Sequence, residues 1–168
     1  HRESADAMRD LTGIRLVQAR SPDRVRARIA LNPEGTRLGS QGHGPPSRES
    51  PPAAAPALGP SGAAPVIGRE HVWAHLISVE DPSAVPLGTL EGRPEVVLAM
   101  KSLPGWTSVY SLNPALPAAF LRALARHAGV HILNDRDDTL YASRSYLCLS
   151  ADGPGPRTLR FPKPTALS

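Results

Sequence analysis

Cysteine, aromatic residues and long apolar runs are all scarce in this chain of 168 residues, and each shortage removes a class of function. With Cys148 as the single cysteine there is no internal disulfide framework and no thiolate metal cluster, and the compartment stays open between cytoplasmic and secreted. Aromatic residues make up 4% of the chain, too few for a platform on which sugars or bases stack in series. No run approaches the roughly 20 apolar residues that span a bilayer, and the N-terminus lacks the basic-then-apolar order of a signal peptide, so a soluble chain without a membrane partner is expected. A concentrated basic surface is missing as well. The formal charge of +4 comes from scattered arginines (Arg20, Arg24, Arg26, Arg28, Arg122, Arg126, Arg157, Arg160) interleaved with carboxylates, whereas nucleic-acid binding needs a basic patch or stripe; no nucleic-acid partner is expected. The chain begins at His1 rather than Met, which reads as a start inside a longer frame.

What is present is an apolar fraction of 40%, enough for one modest core, together with 19 prolines and 14 glycines. Many of these fall between Asn32 and Pro65, in stretches such as Gly42-His43-Gly44-Pro45-Pro46 and Pro51-Pro52-Ala53-Ala54-Ala55-Pro56. Such a composition buries too little apolar surface to offset its ordering entropy, and the expectation over 32–65 is a disordered loop or linker without chemistry of its own.

Around that stretch the patterning predicts alternating helices and strands. Ser4 can cap a helix near Ala5 to Leu11 that Gly13 ends, and strands are expected at Ile14 to Val17 and Arg24 to Leu31, the second alternating apolar and charged residues. Val72 to Val79 is β-prone, Pro86 to Leu90 is extended, and Glu95 to Lys101 is a short apolar run suited to a buried strand. The turn Leu103-Pro104-Gly105-Trp106 leads into a strand from Thr107 to Leu112, and the two strands pair as a hairpin. Pro117 opens the clearest helix, Ala118 to Ala128, which carries Phe120, Leu121, Leu124 and Ala128 on one face and ends at Gly129. Val130 to Leu133 then reads as a strand, making a strand–helix–strand unit, and three further strands are expected at Thr139 to Ala142, Ser145 to Ser150 and Arg157 to Phe161. The expected division is an α/β domain over 1–133 and a small β-rich unit over 134–168.

The candidate chemistry is sparse. His71 and His75 lie four apart but in a strand, some 13 Å from one another at roughly 3.3 Å per residue, too far to share a metal. His127 and His131 straddle Gly129, and a structural role is the favoured reading for both. Asp135, Asp137 and Asp138 supply hard oxygens in a turn, but the loop is too short for an EF-hand and lacks its downstream glutamate, so a solvated turn is expected and no metal or cofactor. Glu70, Glu80, Asp81, Glu91 and Glu95 show no spacing for a glycosidase acid/base pair. Ser111 lacks a Gly-x-Ser-x-Gly elbow. Trp73 and Trp106 are the residues best suited to stack on a sugar ring, although packing is the commoner use of such residues.

Three stretches carry a resemblance: Leu11-Thr12-Gly13-Ile14-Arg15-Leu16, Leu103-Pro104-Gly105-Trp106-Thr107-Ser108-Val109-Tyr110-Ser111, and Phe120-Leu121-Arg122-Ala123-Leu124-Ala125-Arg126-His127-Ala128-Gly129-Val130-His131-Ile132. They resemble the end of the glutamine-amidotransferase-like, flavodoxin-like domain known as the β-galactosidase trimerisation domain. The segment Tyr141 to Phe161 is similar to the small β-unit that closes such glycosidase chains. The resemblance covers about two thirds of the chain. It implies a partial flavodoxin-like three-layer α/β fold and a non-catalytic accessory or oligomerisation domain, a C-terminal fragment of a bacterial carbohydrate-active protein. Its implied partners are the catalytic barrel of the same parent chain or the subunits of a homo-oligomer, with a possible carbohydrate. Amidotransferase activity is not implied, because that chemistry needs a cysteine on a strand-to-helix elbow and Cys148 lies in a strand. The alternative is a standalone sugar-binding module or hydrolase with a site near Trp106, Ser111 and His131.

Overall fold

A computed structural model describes residues 2–19, 25–26, 28–40, 65–69, 72–73 and 76–162. These hold α1 (Arg2–Thr12), β1 (Leu16–Ala19), β2 (Val25–Arg26), β3 (Ile29–Leu31), α2 (Pro33–Ser40), β4 (Val66–Ile67), β5 (Val72–Trp73), β6 (Leu76–Val79), β7 (Val85–Leu90), β8 (Val96–Leu103), β9 (Trp106–Ser111), α3 (Ala118–His127), β10 (Thr139–Ala142) and β11 (Leu147–Ser150). Helices and antiparallel sheets are mixed, and every strand pair among the described residues is antiparallel. The chain divides into two compact units, one of residues up to 37 and 65–117, the other of 38–40 and 118–162. The division therefore falls before α3 rather than after Leu133.

The first unit is organised by a five-stranded sheet in the order β4-β3-β7-β8-β9. Its middle is dry because Val97, Leu98 and Ala99 in β8 and Leu90 in β7 are fully buried. The β8–β9 hairpin turns at Pro104-Gly105, with Leu103 and Trp106 opposite one another. Proline before a glycine at φ 84° suits the second and third positions of a type II turn.

One face of this sheet receives the two-stranded β1–β6 ribbon and the end of α1. Tyr110 on β9 donates its hydroxyl to the Ile77 carbonyl of β6 at 3.0 Å, and Lys101 on β8 donates to the Gly13 carbonyl at 2.7 Å. Burial pushes the Tyr110 phenol up to about 12. Because the neutral phenol is favoured in the fold, this side chain stabilises the unit below its unfolded value of about 10, and the contribution is lost as pH rises from there towards 12. Tyr110→Phe is expected to remove that decline from a stability profile measured between pH 9 and 12. A decline of unchanged size in the variant would count against the assignment.

The helix α2 corrects the expectation of a loop from residue 32 onward. Asn32 caps it: the Asn32 side-chain oxygen accepts from the Gly35 amide at 2.8 Å, and the Asn32 carbonyl accepts the first helical bond from Thr36. Pro33 follows at the first helical position, where its missing N–H costs nothing. Residues 41–64 of that expected linker lie outside the described residues.

In the second unit α3 runs as expected, and its end is closed by the Gly129 amide on the Arg126 carbonyl and the Val130 amide on the Ala125 carbonyl. The strand expected at Val130 to Leu133 does not form. Val130 is 56% exposed and its amide is spent on the helix end, so the strand–helix–strand unit is absent and the chain makes one isolated bridge, Asn134 with Leu159. That bridge is also all that forms of the last expected strand, Arg157 to Phe161. The β10–β11 hairpin is present, with Tyr141 opposite Cys148, and its loop is tied by Ser143, whose hydroxyl accepts from the Tyr146 amide at 3.0 Å.

Candidate functional site

The sequence's candidate residues are dispersed. Trp73 lies in β5, with its side chain outside the described residues, as are His71, His75 and Glu70. Trp106 opens β9 and is 49% exposed. Ser111 closes the same strand and donates its hydroxyl to the Asn113 carbonyl at 2.7 Å. Five residues apart in one strand, the two side chains point to opposite faces and stand roughly 17 Å apart along the backbone. The structure thus does not bring Trp106 and Ser111 together. His131 belongs to the second unit, where its Nε2 donates to the Arg160 carbonyl at 2.6 Å, since a carbonyl can only accept.

Three of the candidate acidic residues, Asp81, Glu91 and Glu95, have arginine or lysine partners. Glu91 is held by Nε and Nη2 of Arg28 at 2.8 and 2.9 Å, and Glu95 pairs with Arg93. Asp81 is nearly buried, its side chain 8% exposed, and accepts from Lys101 at 2.7 Å, from the Arg15 amide at 3.0 Å, and from both the hydroxyl and the amide of Ser83. The Lys101 ammonium, helped by Ser83 and the Arg15 amide, holds the Asp81 carboxyl far below the usual carboxylate range.

The turn at 134–138 is an ion-pair knot rather than a solvated loop. Arg126 and Arg160 both donate to Asp135, Arg122 donates to Asp137, and Arg157 grips both oxygens of Asp138 at 2.8 and 3.0 Å. Asp138 also accepts from the Asn134 side chain and from the Asp152 amide at 2.8 Å, and Arg157 first, then these two donors, holds its carboxyl far below the usual range. Among the described residues, no group of three or more His, Cys, Asp or Glu is arranged to hold a metal ion. The aspartates tie α3, the turn and the segment at 157–160 into one unit. Asp138→Ala is therefore expected to lower the unfolding temperature of this unit and to abolish hydrogen-exchange protection of the Asp152 amide, while millimolar calcium leaves the wild-type unfolding temperature unchanged. Stabilisation by calcium would show instead that the carboxylates are free for a cation.

Asn113 is a residue whose importance sequence reasoning missed. It is 1% exposed, donates to the Arg69 carbonyl at 2.8 Å, and accepts from the Ala115 amide at 2.9 Å. A buried asparagine must have its polar atoms satisfied, and these bonds pin the chain beside Gly68 to the end of β9. The Asn-Pro pair at 113–114 marks a strand end, but nothing local indicates the distant Arg69 carbonyl.

The outer face of the five-stranded sheet carries a different feature. Val85, Met100 and Val109 stand directly opposite one another across β7, β8 and β9, so their side chains form one row on one face. Val85 is 43% exposed and Val109 37%, with Met100 between them half-buried. The next pair on that face, Ser102 with Thr107, is exposed, polar and uncharged.

No family model matches the chain, and neither a characterised protein nor a solved structure proved similar to it. Among the described residues, no helix is long and apolar enough to cross a membrane.

Proposed function

We propose that this chain is a non-catalytic accessory domain whose task is a subunit contact, and that it serves a carbohydrate-active protein of the glycoside hydrolase type. The observation that carries the contact is the Val85–Met100–Val109 row on the outer face of the sheet. The carbohydrate-active setting and the flavodoxin-like relationship rest on the sequence resemblance alone; the strand pairs described are antiparallel, so a parallel flavodoxin-like core is no part of what supports them. The partner favoured is a second copy of the chain, because an isologous contact needs only one self-complementary patch and this row is uncharged.

Sedimentation velocity over a concentration series tests the reading. The wild type is expected to associate, and Val109→Glu, which places a charge at the β9 end of the row, to weaken association at least tenfold, or about 1.4 kcal/mol, with an unchanged circular dichroism spectrum. A chain that stays monomeric up to about 1 mM, where a contact is worth only about 4 kcal/mol, overturns the subunit-contact reading.

The half-exposed Trp106 favours a second reading, a sugar-binding module, since stacking on a sugar ring needs an indole that is not fully buried. Saturable binding of a sugar, lost in Trp106→Ala, would support it, and no binding at millimolar sugar would remove it. A hydrolase site drawing on both Trp106 and Ser111 has no support in the geometry of β9.

A further inference from the structure

We draw no further inference here: the strongest candidate, the exposed patch of Tyr141, Tyr146 and Cys148 on the β10–β11 hairpin, carries nothing because nothing in the structure shows what covers it.

Discussion

Replacing Asp81 with alanine is expected to destabilise the first unit by about 3 kcal/mol, because removing one partner of a buried ion pair strands the other. The Lys101 ammonium, with a side chain only 18% exposed, would keep the Gly13 carbonyl as its acceptor and lose its counter-charge. The Arg15 amide and the Ser83 hydroxyl would lose their acceptor at the same time. Removing both charges in an Asp81→Ala, Lys101→Met double variant is expected to cost less than the single aspartate change, since an apolar pair leaves no charge unpaired. Urea midpoints of the four proteins in this cycle give the answer; a double variant that loses the sum of the two single losses would mean that the pair is not coupled. The pH dependence has a definite sign. The Asp81 carboxyl is held below its ordinary value in the fold, so its contribution is fully present above the unfolded value of about 3.9 and is lost as pH falls from there through the folded value. Asp81→Asn should flatten the acid limb of the stability profile.

Gly35→Ala is expected to destabilise the protein by roughly 2 kcal/mol, as overpacking against a fixed backbone does. Helix propensity alone predicts the opposite, a gain of about 1 kcal/mol for alanine over glycine inside a helix. The structure reverses the sign because a Cβ on Gly35 would sit 1.9 Å from the Leu87 carbonyl oxygen and 3.1 Å from a Leu31 methyl. That carbonyl cannot swing away cheaply, since it already accepts from the Asn32 amide at 3.0 Å. Thermal unfolding of the variant distinguishes the two cases. A neutral or stabilising result would mean that α2 does not lie against β7 and that the segment is the loop its composition suggests.

The contrast between α2 and α3 shows which parts of this fold are legible in its sequence. For α3 the information is local: Pro117 precedes it, Phe120 and Ala123 supply the buried side chains, and Gly129 follows it. The same holds for the β8–β9 hairpin, which turns at Pro104-Gly105, and for β10 with β11, whose strands are neighbours in sequence. For α2 the local signals point the other way, since Gly35 and Gly39 lower the helix propensity of residues 33–40. What stabilises it is non-local: the Asn32 side chain, which caps the helix, also donates to the Pro86 carbonyl, 54 residues away. Pairings such as Leu16 with Val79, or Ile29 with both Ile67 and Leu90, are equally invisible to a reading of spacing. Val130 to Leu133 failed in the other direction: β-branched Val130 and Ile132 favour a strand, but among the described residues no strand pairs with this stretch.

The chemistry follows the same division. The turn Asn134 to Asp138 is readable as a cluster of carboxylates, but their fate depends on where the arginines lie. A signal was available, because Arg122 and Arg126 stand four apart on α3 and so share one face, within a short chain distance of Asp135 and Asp137. The Val85–Met100–Val109 row had no such signal. Three residues from three strands become neighbours only once the register is known, and the shift in register between Pro86 and Thr89 makes even that alignment unreadable from spacing.

The contact face is tested most directly by following methyl signals by nuclear magnetic resonance as protein concentration is raised. If a second copy docks on this sheet, the methyls of Val85, Met100 and Val109 shift with concentration, while those of fully buried Val97 and Leu98 stay fixed. Signals in the row that do not respond to concentration, or shifts confined to the β10–β11 hairpin, would contradict the account.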